Sequence, residues 1–234
     1  MTPVGYQSET ALRHIKNAIL FELILRGGFM LKRIVLWSVG AVVLAGILVM
    51  ARAGFFAGVR VEEKEAGPFT LVYARGKGAY KNAGDVMDAV YEKLILEKIE
   101  ADTAFGYYCD NPRKVAPANL RWIAGFIVDN EKQAAAAKKY FRVERFSKTP
   151  ALVAEFPLRG KLSIIAGIMK VYPAINHHAR KRELPTGPVM EIYDSKAKKI
   201  IYIMSLDPEY DPVKSLYDEK SPRPPKKQSV RRTK

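Results

Sequence analysis

The sequence predicts an α+β protein in which a duplicated β-α-β-β unit forms one antiparallel sheet with two helices on one face, behind one N-terminal transmembrane helix. An uncharged run of 18 residues near the N-terminus indicates the membrane helix. From about residue 61 to residue 207, strand-like and helix-like patterns follow each other in the same order twice. With 48% hydrophobic residues, the 234-residue chain can bury a core.

The predicted transmembrane helix covers residues 34–52. The uncharged run is just long enough to cross the hydrocarbon core of a bilayer as a helix. Lys32 and Arg33 flank one end, Arg52 flanks the other, and Trp37 suits the headgroup region. Two alternatives stay open, namely a buried core helix and a cleaved signal peptide, for which residues 51–53 have the A-x-A form of a cleavage site.

We predict that residues 1–33 form a separate N-terminal segment. Met30 offers an alternative translation start, and residues 11–25 have the composition of a short amphipathic helix. Five basic residues precede the span and three follow it closely, which favours a cytoplasmic N-terminus. We therefore expect a single-pass membrane protein whose soluble domain is extracytoplasmic if the protein is prokaryotic.

The soluble domain is predicted at residues 61–207. In its first half, a β-rich segment at 69–75 ends in glycines, and apolar residues at three-to-four spacing over 82–99 predict a helix. Strands follow at 104–109 and 120–128.

The second half repeats this order after a polar, alanine-rich connector at 129–139. We predict strands at 140–146 and 151–157, a helix from Gly160 to about Lys181, and a closing hairpin of strands 189–193 and 199–204. If both helices cover one face of the joint sheet, we expect the other face to curve into a cleft between the halves.

Residues 208–234 form a basic, proline-rich tail, which we predict to be disordered. From Lys220 onward it has seven basic residues and no acidic one. The net charge of +15 fits binding to nucleic acid or to anionic lipid headgroups, and we expect the tail to contact an anionic lipid surface. The single cysteine, Cys109, excludes an intrachain disulfide and a cysteine-based metal site.

The segment Gly106 to Val128 contains the most specific motif of the chain. It reads G-Y-Y-C-D-N-P-R-K-V-A-P-A-N-L-R-W-I-A-G-F-I-V and resembles the first-half signature of GyrI-like domains, which are small-molecule effector-binding domains. The closing segment Gly187 to Tyr193, G-P-V-M-E-I-Y, resembles the second-half signature of the same family. The likeness extends over roughly residues 62–207.

The resemblance implies a ligand cleft with a glutamate at its floor, and Glu191 is the residue at that position. It also implies an effector-binding role. The helix-turn-helix of the family's regulators is replaced here by a membrane span, so that we expect no nucleic acid partner. Cys109 interrupts the family's usual spacing between tyrosine and aspartate.

Six residues are candidate ligand contacts. Glu191 lies opposite Ile192 on its strand and would be a desolvated carboxylate that attracts a cation. Aromatic walls suit flat or cationic apolar ligands, and the candidates are Tyr107, Tyr108, Trp122, Phe126 and Tyr193. For each aromatic residue the alternative is plain core packing, and for Glu191 it is an exposed carboxylate. Tyr107 and Tyr108 point to opposite faces, so only one of them can line the cleft.

No phosphate-binding loop, nucleophile elbow or paired metal-ligand motif is present in the sequence. We therefore expect no cofactor and no metal. Separately, we expect Arg121 to pair with Asp110 or another acid. The predicted function is a membrane-anchored module that binds small apolar or cationic molecules. The alternatives are a membrane-tethered adaptor or scaffold with a vestigial cleft, and a hydrolase that uses the cleft glutamate.

Overall fold

The computed structural model describes residues 5–207, which fall into two compact units joined at the bond between Ala51 and Arg52. The predicted basic tail at 208–234 lies outside the described residues. Each unit is described by itself below.

The first unit is helix α1, Gly5–Arg52, whose 48 residues are continuous. Its segment Lys32–Arg52 has a mean hydropathy of 2.6 and is not buried in the structure. Among the described residues this is the one helix long and apolar enough to cross a membrane, and a signal sequence would satisfy the same criteria. The segment predicted as a separate helix at 11–25 is part of α1.

The second unit contains one curled antiparallel sheet, as predicted. Its eight described strands lie in the order β1-β6-β8-β7-β3-β4-β2-β5. The strands are β1 (Val61–Ala66), β2 (Phe69–Lys77), β3 (Thr103–Tyr108), β4 (Arg121–Val128), β5 (Arg142–Phe146), β6 (Thr149–Pro157), β7 (Val189–Asp194) and β8 (Lys199–Ser205). The helices are α2 (Ala83–Leu96), α3 (Glu131–Ala137) and α4 (Lys161–Lys181). From the central β3–β7 pair outward, the order is β4-β2-β5 on one side and β8-β6-β1 on the other; that the halves are a duplicated unit stays a prediction.

Helices α2 and α4 lie on the same face of the sheet. Residues that pair across neighbouring strands point to the same face, and one such row is Val72, Phe126, Ala104, Tyr193, Ile200 and Phe156. At one end of the row, Val72 and Phe126 pack in a core cluster with Val90 and Leu94 of α2. At the other end, Ile200 and Phe156 pack with residues of α4.

The opposite face of the sheet is a closed apolar core, and the predicted cleft on that face is wrong. Phe105 and Met190 of the two central strands pack there in one cluster with Ala66 of β1 and Phe146 of β5, the two edge strands. The curl of the sheet thus brings residues of all its strands together and buries this face with strand side chains alone. Glu191 does not lie in this core, because it pairs with Tyr202, which packs with residues of α4 on the other face.

Two local elements differ from the predictions. The stretch predicted as a connector contains α3, which begins after Asn130, whose side chain accepts a hydrogen bond from the backbone N–H of Gln133 at 2.9 Å. Strand β1 was not predicted because its sequence, V-E-E-K-E-A, is polar. It is an edge strand that pairs only with β6, and charged residues are common at sheet edges.

Candidate functional site

Glu191 lies in the central strand β7 on the face that carries α2 and α4. It pairs with Gly106 of β3 on one side and with Tyr202 of β8 on the other. Only 1% of its surface is exposed, because β7 is flanked by strands on both sides and is covered on both faces. The sheet therefore places one carboxyl group between the two halves of the domain.

Two tyrosine hydroxyls donate hydrogen bonds to this carboxyl group. Tyr172 of α4 donates to Oε1 at 2.7 Å, and Tyr193 of β7 donates to Oε2 at 2.5 Å. Tyr193 reaches Glu191 because residues two apart on a strand share a face. Both carboxyl oxygens are thus satisfied, one from the helix and one from the strand.

Further phenol rings surround this pair. Burial, followed by the nearby Glu191 charge, raises the pKa of Tyr108, whose ring therefore lies close to Glu191. Tyr202 packs edge to face against Tyr172 with ring centroids 5.9 Å apart. We call Glu191, Tyr108, Tyr172, Tyr193 and Tyr202 the Glu191 cluster.

Two glycines leave the space that these rings occupy. A Cβ on Gly106 would lie 2.8 Å from the hydroxyl oxygen of Tyr108, so the Tyr108 ring folds over the backbone of β3. A Cβ on Gly167 of α4 would lie 2.4 Å from the hydroxyl oxygen of Tyr202. Within the described part of the chain, this Tyr202 hydroxyl is buried and has no hydrogen-bond partner. A buried polar group in that state costs free energy.

Burial raises the pKa of the Glu191 carboxyl, and the hydrogen bonds from Tyr193 and Tyr172 offset only part of that rise. Among residues 5–207, no basic side chain forms an ion pair with Glu191. Burial, followed by the nearby Glu191 charge, also raises the pKa of Tyr172 and Tyr193. The cluster is therefore a carboxyl group held by neutral phenols, with no counter-ion among the described residues.

The phenols also separate Glu191 from solvent. Tyr108, Tyr172 and Tyr193 are each partly exposed, whereas the carboxyl group beneath them is buried. A molecule that displaced these side chains would reach the carboxyl group without crossing the sheet. Chemically, the arrangement can bind a cation through the carboxylate and through ring faces.

The structure brings together some of the predicted ligand contacts and separates others. Glu191, Tyr193 and Tyr108 belong to one cluster. Tyr107 lies on the opposite face within the closed core. Trp122 pairs with Tyr108 across β3 and β4, where its indole N–H donates to the carbonyl oxygen of Gly78 at 3.1 Å.

Phe126 is a predicted contact that does not belong to the Glu191 cluster. It packs under α2 and stacks on Tyr91 with ring centroids 5.4 Å apart. Tyr172 and Tyr202 were not among the predicted ligand contacts. Tyr202 could have been found from the strand pattern, since it points to the same face as Ile200 and Met204 of the same hairpin.

The turn after β3 is fixed by an ion pair, as expected. Arg121 donates from Nη2 to Oδ1 of Asp110 at 2.6 Å and from Nε to Oδ2 at 2.9 Å. Hydrogen bonds from Arg121 hold the pKa of Asp110 below its usual range. Tyr80 donates to the Asp110 carbonyl oxygen at 2.5 Å, and its ring lies 4.8 Å from that of Tyr108. The turn thereby supports one wall of the Glu191 cluster.

Other features of the domain lie away from the cluster. In the described range, no group of three or more His, Cys, Asp or Glu side chains is placed to bind a metal ion. Nε2 of His178 lies within hydrogen-bond distance of Oε1 of Glu63, at 2.9 Å. A surface recess of about 420 Å³ is lined by residues such as Pro68, Asp129 and Arg145, and it is not part of the cluster.

Comparison with known proteins finds distant structural likenesses. No protein-family model and no curated protein matches the chain. A solved structure of SAV2435 bound to tetraphenylphosphonium is 12% identical, with a TM-score of 0.42, over 62% of this chain and 92% of that one. A hydrolase from Listeria innocua is 12% identical, with a TM-score of 0.42, over 62% and 91%. The EcmrR C-terminal domain is 8% identical, with a TM-score of 0.43, over 63% and 96%. Since these TM-scores lie below 0.5, we derive the function from the chain's own residues.

Proposed function

We propose that this protein is a membrane-anchored, GyrI-like module that binds small lipophilic cations at the Glu191 cluster. The observation that carries the proposal is a buried carboxyl group that has phenol partners and no counter-ion among the described residues. The two sequence motifs of the GyrI-like resemblance supply the strands β3 and β7 on which the cluster is built.

A buried carboxyl group of this kind lowers the stability of the fold unless a partner offsets the penalty of its burial. Burial disfavours the charged form, and an apolar residue of similar volume would avoid that penalty. Acidic groups with pKa values raised by burial are concentrated at functional sites. A ligand that brings its own positive charge would supply the missing counter-ion, and the tyrosine rings would contact its apolar groups.

Binding requires the phenols to move. In the structure both carboxyl oxygens of Glu191 are occupied by Tyr172 and Tyr193. A ligand must therefore replace at least one of these hydrogen bonds, and its apparent affinity is reduced by the fraction of molecules in which the site is closed. This requirement favours ligands large enough to contact several displaced rings.

A dye-displacement screen tests the proposal on the full-length protein in detergent micelles. Cationic and neutral lipophiles of similar size are compared on wild type and on Glu191→Gln. We expect cations to bind wild type and to lose affinity in the variant, while neutral compounds change much less. The proposal is contradicted if cations bind both proteins equally or bind neither.

The second candidate function is an adaptor or scaffold with a vestigial cleft. The observation that favours it is that the Glu191 cluster is closed and its carboxyl oxygens are fully hydrogen-bonded. In that case Tyr172→Phe would lower stability without any ligand ever stabilising the wild type. A thermal-shift screen that finds no stabilising lipophile would favour this candidate.

We further propose that the segment Lys32–Arg52 of α1 is a membrane anchor, with the soluble domain on the extracytoplasmic side if the protein is prokaryotic. Its length and hydropathy support a span. Alkaline carbonate extraction of membranes should leave the intact chain in the pellet, and protease added to sealed spheroplasts should digest the domain. Release of a chain with an intact N-terminus would contradict anchoring, and protection from protease would reverse the orientation.

A further inference from the structure

We propose that the first half of α4, together with Phe56, is a membrane-contact surface that inserts apolar side chains among anionic phospholipid headgroups. This inference rests on the proposed membrane anchoring and concerns a surface separate from the ligand site. The occupant is the lipid surface of the membrane that the anchor enters.

The surface consists of large apolar side chains that face solvent. On α4 they are Leu162, Ile165, Ile168 and Met169, which are between 45% and 62% exposed, and Phe56 is 67% exposed. Leu162, Ile165 and Met169 follow the three-to-four spacing of a single helix face. A run of exposed apolar residues on one helix face is typical of an interaction site.

The backbone around Phe56 is fixed to α4. Lys170 donates from Nζ to the carbonyl oxygen of Phe55 at 2.7 Å and also to that of Ala57. Gly54 lies against the ring of Phe156, where an added Cβ would come within 2.9 Å. The backbone on both sides of Phe56 is thereby bound to Lys170, the residue that follows Met169 in α4.

Chain connectivity brings this surface near the anchor. Ala53 is only 4% exposed, so the chain is packed on the domain from the residue after Arg52. Four residues of extended chain span at most about 14 Å. Phe56 therefore lies within that distance of Arg52, the last residue of the proposed anchor.

The charge of α4 suits an anionic membrane. Its 21 residues include no aspartate or glutamate, and they include Lys161, Lys170, Arg180 and Lys181. Arg159, just before the helix, is also exposed. Basic residues beside an apolar helix face are the usual composition of helices that lie in the interface of anionic bilayers.

Helix α2 provides an internal contrast. It also exposes apolar residues, with Ile95 at 56% and Leu96 at 74%. However, acidic residues are distributed along it, at Asp85, Asp88 and Glu92, and Glu97 follows its end. Anionic headgroups would repel this surface, which makes Ile95 a matched control for Met169.

The test uses the full-length protein in vesicles of phosphatidylcholine and phosphatidylglycerol. In a Cys109→Ser background, single cysteines are introduced as Met169→Cys, Ile165→Cys or Ile95→Cys and are labelled with the same small fluorophore. Lipids that carry a spin label at a shallow acyl position then quench any fluorophore near the headgroup boundary. Quenching of the tryptophan emission reports insertion of the same molecules, because Trp37 lies in the proposed anchor whereas the other tryptophan, Trp122, is buried in the soluble domain.

We expect strong quenching at Met169→Cys and Ile165→Cys, and emission at Ile95→Cys close to that measured without spin-labelled lipid. If Trp37 is quenched while the α4 labels behave like Ile95→Cys, the anchor stands and this inference is overturned. If Trp37 is not quenched, the anchoring itself fails and the inference fails with it. Emission at Met169→Cys that depends on protein density and not on the quencher would assign the surface to a second copy of the chain, which also overturns it.

Discussion

The hydroxyl of Tyr172 donates a hydrogen bond to Oε1 of Glu191 at 2.7 Å, which joins helix α4 to the central strand of the sheet. Tyr193 satisfies the other carboxyl oxygen from within that strand. The bond from α4 is therefore the one that couples the position of a helix to the charge state of a buried acid.

Tyr172→Phe should destabilise the domain. The substitution removes one donor and leaves a buried carboxyl oxygen without its partner, which costs about 1–3 kcal/mol. Denaturant unfolding in detergent micelles measures the change in the free energy of unfolding. Tyr91→Phe is the matched control, because Tyr91 is an exposed tyrosine on α2. This substitution should change the free energy of unfolding only a little. Equal losses in the two variants would refute the role of the Tyr172 hydroxyl.

Above the unfolded-state pKa of Glu191, the contribution of this residue to the stability of the domain should fall as pH rises. Burial raises the pKa of Glu191 in the folded state, so between its unfolded and folded pKa values the folded protein binds more protons. Stability is therefore fully present below the unfolded pKa and is lost as pH rises through the folded pKa.

Glu191→Gln should remove this pH dependence, because the amide stays neutral. The difference in unfolding free energy between the variant and wild type should grow in the variant's favour as pH rises above the unfolded-state pKa of about 4.3. The control is Glu100→Gln at an exposed carboxylate, which should keep the wild-type slope. A slope that is identical in wild type and Glu191→Gln would show that another group titrates.

Gly167→Ala should destabilise the domain through the Tyr202 hydroxyl. The added Cβ would lie 2.4 Å from that oxygen, and overpacking of a core costs about 1–3 kcal/mol. Tyr202→Phe removes the oxygen, and because this hydroxyl has no hydrogen-bond partner among the described residues, its loss should cost little.

A double-mutant cycle of these two positions isolates the contact. Without the hydroxyl, the ring atom nearest to the added Cβ is the carbon that carried it, at 3.4 Å. Gly167→Ala should therefore cost less stability in the Tyr202→Phe background than in wild type. Unfolding midpoints of the four proteins provide the measurement. Strictly additive losses would mean that the two residues do not interact.

Much of the fold could be predicted because its strands and helices have clear apolar periods. Helix α2 was expected at 82–99 and is found at Ala83–Leu96, and the closing hairpin agrees to within one residue at each end. The face of Glu191 also followed from alternation, since Ile192 packs in the closed core opposite it. These features depend on local sequence alone.

The closed core on the helix-free face could not be predicted in this way. It depends on how strongly the sheet curls, and the curl brings Ala66 and Phe146 of the two edge strands into one cluster. Tyr172 was missed for a related reason. An apolar period identifies a helix but does not tell which of its side chains reaches across to a neighbouring strand, here to Glu191. The closed core and the position of Tyr172 both depend on contacts between segments that are distant in the sequence.

The most direct test of the central claim compares two ions of the same shape and opposite charge by calorimetry. Tetraphenylphosphonium and tetraphenylborate are each titrated into full-length wild type and Glu191→Gln in detergent micelles, with empty micelles as the blank. We predict that the cation binds wild type more tightly than the anion does, and that proton release accompanies cation binding because the pKa of Glu191 is raised in the free protein. Glu191→Gln should make the binding free energy of the cation less favourable by about 1.5–3 kcal/mol, which lowers its affinity about tenfold to a hundredfold. The substitution should also abolish the proton release. Equal affinity for both ions in both proteins, or no binding of the cation to wild type, would contradict the account.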